Sequence, residues 1–167
     1  MKAFLIIGDL NAVTYKEVFP LIKENTLWLG VNNGNMAFRV PHDSEPRATR
    51  YWQDATGQKW RSLGNSCWFT NLEHDVRHKP IPLVASYSPE AYPRYDNYDA
   101  IEVSRTKDIP CDYYGVMGVP ISFLDKWCPE QFEIAGLDRY VEDNPHYGKR
   151  FDLLGKETFA RILIKRK

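Results

Sequence analysis

Phe4-Leu5-Ile6-Ile7-Gly8-Asp9 sets the fold class: four consecutive apolar side chains, then two residues that favour a turn. Side chains alternate between the two sides of a strand, so an unbroken apolar run asks for burial on both faces, as in the interior of a parallel sheet. Thr14-Tyr15-Lys16-Glu17 follows with the form of a capping box, a hydroxyl and then a carboxylate three residues on, and Val13, Val18, Leu21 and Ile22 add an apolar stripe. Pro20 falls inside that stripe, which predicts a kink or two short helical pieces. Leu27-Trp28-Leu29-Gly30-Val31 reads as a second strand, so residues 1–31 are expected to hold a β-α-β unit with a right-handed crossover.

Such a unit supplies neighbours for only one side of its first strand. Either later strands fill the other side, or the sheet begins in sequence outside these 167 residues and leaves an exposed edge or apolar face. Further strands are expected at Met36 to Val40, Cys67 to Leu72, Ala100 to Val103, Gly115 to Phe123, Phe132 to Leu137 and Phe159 to Lys165, the last a buried strand with a charged tip. Between them, residues 73–98 are rich in Pro, His, Tyr and Asp. Pro80, Pro82, Pro89 and Pro93 preclude long elements there, while Tyr87, Tyr92, Tyr95 and Tyr98 supply packing material for an ordered excursion. The reading is a single α/β unit over 1–167, with a β-α-β start and a strand-and-loop remainder over 32–167.

Twenty-two basic residues balance 22 acidic ones, which excludes a uniformly basic surface as the basis for any nucleic-acid binding; a basic surface must be local. No apolar run approaches the roughly 18 residues of a membrane span and no cleavable signal is evident, so the expectation is a cytoplasmic chain. Cys67, Cys111 and Cys128 are odd in number and lack CxxC spacing, which argues for reduced packing thiols. His42, His74, His78 and His146 show no HExxH-like spacing, so no metal site is expected.

Ordered blocks along the chain carry a resemblance. Phe4-Leu5-Ile6-Ile7-Gly8, Phe19-Pro20-Leu21-Ile22-Lys23-Glu24-Asn25 and Leu27-Trp28-Leu29-Gly30 are followed by Glu45-Pro46-Arg47-Ala48-Thr49-Arg50-Tyr51-Trp52 and Trp60-Arg61-Ser62-Leu63-Gly64-Asn65-Ser66-Cys67-Trp68-Phe69-Thr70-Asn71-Leu72. Tyr95-Asp96-Asn97-Tyr98-Asp99-Ala100-Ile101, Gly115-Val116-Met117-Gly118-Val119-Pro120 and Gln131-Phe132-Glu133-Ile134 continue in the same order. Together they resemble the C-terminal part of EcoRI-type adenine-specific DNA methyltransferases. The resemblance implies the C-terminal part of a Rossmann-like methyltransferase sheet with a strand-and-loop recognition region. It further implies methyl transfer from S-adenosylmethionine to adenine N6 in double-stranded DNA, within a restriction-modification system.

Two family motifs carry that chemistry: a glycine turn after the first strand of the sheet, and an Asn-Pro-Pro-Phe segment that receives the flipped base. Neither is found in this sequence, so no catalytic residue is assigned and the cofactor-binding residues stay unknown. The chain is expected to be inactive alone, its N-terminal methyltransferase half being absent from it. A catalytically empty DNA-binding or protein-interaction remnant is the alternative. Asn144-Pro145-His146-Tyr147 differs from Asn-Pro-Pro-Tyr at one position, but it follows a charged segment and reads as a proline turn. Gly115-Val116-Met117-Gly118 is a weak cofactor candidate.

Recognition is expected between Arg39 and Arg61, where five basic residues face three acidic ones and Tyr51, Trp52 and Trp60 are interleaved. Arginine pairs with phosphate or guanine and aromatic rings stack on bases, which nominates Arg47, Arg50, Trp52, Lys59, Trp60 and Arg61. A core hairpin with inward tryptophans is the competing reading. Residues 149–167 carry seven basic residues against Asp152 and Glu157, either a phosphate-contacting end or a solubilising one, while Glu90 to Asp112 has an acidic excess of three that would repel phosphate.

Overall fold

The computed structural model describes residues 2–31, 33, 34, 36–141 and 148–167. Its strands are β1 (Leu5–Asp9), β2 (Trp28–Leu29), β3 (Ala37–Arg39), β4 (Tyr51–Gln53), β5 (Lys59–Ser62), β6 (Ser66–Thr70), β7 (Ile101–Glu102), β8 (Met117–Pro120), β9 (Phe132–Leu137), β10 (Asp152–Leu153), β11 (Lys156–Glu157) and β12 (Arg161–Arg166). Helix is confined, among the described residues, to α1 (Phe19–Lys23) and short 3-10 turns. The result is a mixed α/β structure dominated by strands in four small sheets.

The first sheet has the order β1-β6-β2, with β6 antiparallel to both neighbours. β1 and β2 are therefore parallel to each other, as a β-α-β unit requires, but an antiparallel strand lies between them. The expectation that β1 is buried on both faces is wrong. It is an edge strand, and Leu5, Ile6 and Ile7 are 55, 58 and 46% exposed. The apolar run does form a strand; what it lacks, among the described residues, is a second neighbour. Gly8 helps seat β1 on β6, because a Cβ there would lie 3.1 Å from the Phe69 ring.

The capping box does not form either. Thr14 ends a 3-10 turn over Leu10–Thr14, which Asp9 caps by accepting from the Asn11 N–H at 2.8 Å. Pro20 does not divide a helix as expected: the 3-10 turn ends before the helical stripe, and α1 starts beside the proline. Pro20 sits in the first turn of α1, where its missing N–H costs no helical bond.

The principal core surrounds the four-stranded sheet β7-β8-β12-β9, whose single parallel pair is β7–β8. Ile162 and Ile164 of β12 face the larger apolar cluster, with Met117, Val119, Phe123 and Phe132. Leu163 faces the other way, into a smaller cluster with Tyr95, Ala100 and Phe151. β12 is thus buried on both faces, as its apolar run predicts. Tyr92 and Tyr95 of the proline-rich excursion are buried in these clusters, so residues 73–98 form an ordered part of the fold.

A buried ion pair underlies this sheet. Arg161 grips Glu102 through Nε at 2.9 Å and Nη2 at 2.7 Å, and the Tyr95 hydroxyl donates to the same carboxylate. Gly118 leaves the space for this arrangement: a Cβ there would lie 2.1 Å from the Tyr95 oxygen.

Candidate nucleic-acid interface

The nominated recognition residues fall in and around the third sheet, ordered β3-β5-β4. Its β4–β5 hairpin turns over Asp54-Ala55-Thr56-Gly57, with Gly57 at φ +82° supplying the left-handed residue such a turn needs. Asp54 organises the turn. Its carboxylate accepts from the Thr56 hydroxyl at 2.7 Å, the Thr56 N–H at 2.9 Å and the Trp60 indole N–H at 2.8 Å. These bonds, the Thr56 hydroxyl foremost, hold its pKa down at about 2.

Register divides the nominated residues between two faces. Arg39 pairs with Trp60, and Trp60 with Trp52, so these three side chains form a row on one face. The Trp52 and Trp60 rings are nearly parallel, 7° apart in plane, with centroids 6.4 Å apart. The Arg39 guanidinium lies 5.4 Å from the Trp60 ring centroid, within cation–π reach. On the opposite face, Phe38 pairs with Arg61 and Arg61 with Tyr51, and the same alternation puts Lys59 and Gln53 there.

None of these residues belongs to either apolar cluster, so the competing reading of a core hairpin with inward tryptophans does not hold. Trp52 is 39% exposed and Arg39 is also exposed. A cation and two large rings thus line a sheet face outside both hydrophobic clusters, a surface suited to phosphates and to the flat faces of bases.

The other nominated cations differ in how free they are. Lys59 donates to the backbone carbonyls of His42 and Ser44, which ties down the preceding loop. Arg50 has φ +55°, donates to the Leu63 carbonyl at 3.2 Å, and lies where a Cβ on Gly64 would fall. Arg47 is exposed without a polar partner among the described residues. Arg61 makes no hydrogen bond through its side chain there, and its Nη2 is buried without an acceptor. Arg39 was not nominated. Its place in the row depends on β3 pairing with β5 across the intervening loop, which no local pattern announces.

Other candidates resolve differently. Asn144-Pro145-His146-Tyr147 lies outside the described residues. Gly115 and Gly118 are packing glycines, each with its Cβ space taken by a tyrosine, Tyr113 and Tyr95 respectively. His78 bridges Glu73 and Glu130, and His74 contacts the Leu29 carbonyl. No group of three or more metal-ligating side chains occurs among the described residues. All three cysteines are free, and burial pushes the Cys67 thiol up to about 12. At the basic end, Arg166 donates to the Cys111 carbonyl and Lys167 to that of Pro129, so both are held against the protein. The acidic excess over Glu90 to Asp112 is smaller at the surface than the count suggests, because Glu102 is buried against Arg161.

Comparison with known proteins places the chain. The family model described as adenine-specific methyltransferase EcoRI matches residues 1–167. The chain belongs to the EcoRI-type adenine-specific methyltransferase family. Among members of this family, the chain is 49% identical over 170 residues to the type II methyltransferase M.EcoRI of Escherichia coli, a match covering 99% of this chain and 51% of that relative. It is 34% identical over 185 residues to the type II methyltransferase M.MpnI of Mycoplasma pneumoniae, covering 99% of this chain and 57% of the relative. A third relative, M.MgeORF184P of Mycoplasma genitalium, is 33% identical with the same two coverages. The chain therefore spans about half the length of the family members it matches. No solved structure matches it. No helix among the described residues is long and apolar enough to cross a membrane.

Proposed function

We propose that this chain is the DNA-recognition part of a site-specific methyltransferase that modifies adenine N6 in double-stranded DNA, with S-adenosylmethionine as donor, in a cytoplasmic restriction-modification system. The family match along its whole length carries this reading. The β1-β6-β2 sheet would then be the C-terminal part of a Rossmann-like sheet completed by the remaining half of the enzyme.

The two glycines that the sequence offers for the cofactor do not fit it. A methyl-donor site needs a glycine turn where the backbone approaches the ligand closely, and the candidate glycines, Gly115 and Gly118, face space already filled by Tyr113 and Tyr95. Cofactor binding and methyl transfer are accordingly assigned to the remaining half. This chain's task is to hold the duplex.

Within the nominated set, Trp52 and Trp60, joined by Arg39, form the base- or sugar-facing row, and Arg47 adds a phosphate contact, while Arg61 contributes its charge from the opposite face of the sheet. Lys59 and Arg50 act mainly by shaping the loop. Titration of the chain with duplex DNA between about 50 and 200 mM salt tests this assignment. Arg47→Ala should lower the salt slope by about one unit. Trp52→Ala should weaken binding by about 1–3 kcal/mol while leaving the thermal midpoint within a few degrees of the parent. Unchanged affinity after removing the charges at Arg39, Arg47 and Arg61 together would refute the recognition role. Co-expression with the unmatched half of the Escherichia coli relative should place N6-methyladenine in host DNA, and neither half alone should do so.

A further inference from the structure

Three 3-10 turns far apart in sequence, Asp75–His78, Thr106–Asp108 and Ile121–Lys126, converge on a groove of about 530 Å³. None of its lining residues belongs to the β3-β5-β4 sheet. Val76, Ile81 and Val84 give it an apolar lining, and its only charged lining residues are Lys79, Lys107 and Lys126. All three lysines are exposed, and none makes a hydrogen bond or ion pair among the described residues. The acids beside them are committed elsewhere. Asp108 is held by Arg105 at 2.6 Å, Glu73 by Arg77 and His78, and Glu130 by His78, while Asp125 has its Oδ1 buried. Lys107 lies within Glu90 to Asp112, the stretch whose acidic excess argued against phosphate; the pairing of Asp108 leaves its ammonium free there.

The walls of the groove are fixed. Gln131, just before β9, accepts from the Ile81 N–H at 2.7 Å and donates to the Ile81 carbonyl at 2.9 Å. Pro80 and Pro82 restrict the backbone on either side of that residue. Ile109, which follows the second turn, and Phe123 and Leu124, within the third, are buried in the larger apolar cluster. The three lysines therefore project from anchored points and need no rearrangement of the backbone to act together.

We propose that this groove is a second DNA contact, in which Lys79, Lys107 and Lys126 neutralise backbone phosphates of the duplex outside the part gripped by the Arg39, Trp60 and Trp52 row. This rests on the reading of the chain as a DNA-binding one. Charge complementarity selects the occupant: in a chain whose formal net charge is zero, three unpaired cations line one groove with no acid among them. Lysine binds phosphate as a point charge, without the planar fork that base readout requires, so the contact holds the duplex and carries no sequence preference. The apolar lining between the ammoniums suits the C–H faces of the deoxyribose between successive phosphates.

The test titrates the full chain with a random-sequence duplex at several salt concentrations. Lys79→Gln, Lys107→Gln and Lys126→Gln together should lower the salt slope by about 0.9 per phosphate, or about 2.7 units in all. The loss of affinity between about 50 and 200 mM salt should then shrink about 40-fold. Replacing the same three lysines with arginine should keep the parent slope, and neither triple variant should move the unfolding midpoint, because all three side chains are exposed and unpaired. Acetylation of the parent by acetic anhydride, read by mass spectrometry, should slow at these three amines when the duplex is added. A parent slope in the glutamine variant, or amines that the duplex leaves unprotected, overturns the proposal; if Arg47→Ala still lowers the slope, the functional reading stands without it. Loss of slope in the lysine variant alone, with none on removing the charges at Arg39, Arg47 and Arg61, supports the groove and refutes the sheet as the recognition surface. Tighter binding of a peptide of alternating glutamate and leucine than of the duplex, abolished by the glutamine variant, would assign the groove to an acidic protein segment and overturn the proposal.

Discussion

β1 and β12 are built from the same kind of sequence and end in opposite environments. Phe4-Leu5-Ile6-Ile7 and Ile162-Leu163-Ile164 are both unbroken apolar runs, and both become strands. β12 lies between β8 and β9, with Ile162, Leu163 and Ile164 fully buried on two faces. β1 lies at the margin of its sheet, with its apolar residues about half exposed. An apolar run therefore states a demand for burial; the number of neighbours decides whether the demand is met. In β12 it is met within this chain. In β1 it is met on one side by β6 alone.

The largest expected effect lies under β12. Glu102→Ala strands the buried Arg161 guanidinium and removes the acceptor of the Tyr95 hydroxyl, which should cost about 3–5 kcal/mol. Urea unfolding would show it as a large drop in midpoint. A loss below about 1 kcal/mol would mean that β12 is not the rigid centre that the contrast with β1 requires.

A somewhat smaller effect is pH-dependent. Asp138 follows β9, is fully buried, and accepts from the backbone N–H of Arg161 at the start of β12. Burial raises its pKa to about 6, with the hydrogen bonds from the Arg161 and Arg139 backbone opposing the rise. The folded state then holds this proton more tightly than the unfolded chain. The associated stabilisation is fully present below about pH 4 and is lost as pH rises through about 6, a change of roughly 3 kcal/mol. Stability of the parent minus that of Asp138→Asn, followed from about pH 4 to 7, should fall by that order. A flat difference would place Asp138 in a more open environment.

The smallest effect gives the most direct comparison of the two strands. Ile164→Val in β12 should cost about 0.5–1.5 kcal/mol, the usual penalty for a buried methylene. Ile6→Val in β1 should cost under about 0.5 kcal/mol in the isolated chain, because the lost group already touches solvent. Equal penalties in denaturant titrations would break the contrast. A β1 penalty that stays small while the Ile164→Val penalty reaches the buried range would sharpen it.

Most strand positions were legible, because each depends on local pattern. The run Phe132 to Leu137 is β9 residue for residue, and Met36 to Val40, Cys67 to Leu72 and Phe159 to Lys165 contain or overlap β3, β6 and β12. The helix near Pro20 was legible as short, but Pro20 begins α1 instead of dividing a longer helix. β4 and β5 were harder, because Tyr51–Gln53 and Lys59–Ser62 are short and half polar, and their pairing rests on the Asp54 turn. The candidate site was legible as a region and not as a surface. Composition nominated Arg47, Arg50, Trp52, Lys59, Trp60 and Arg61, but it could not divide them between two faces or add Arg39.

The sequence by itself determined the family, through ordered blocks along the whole chain, and the residues with a demand for burial or for a turn, because both are properties of short stretches. Only the tertiary structure decided which demands were satisfied. Register places Arg39, Trp60 and Trp52 in one row and Phe38, Arg61 and Tyr51 in the other, and a slip of one residue would exchange the faces. The pairing of Glu102 with Arg161, 59 positions apart, removes from the surface a charge that a linear count leaves there. The environment of β1 was equally out of reach, since its burial depends on whether another strand lies beside it, and that is a property of its neighbours.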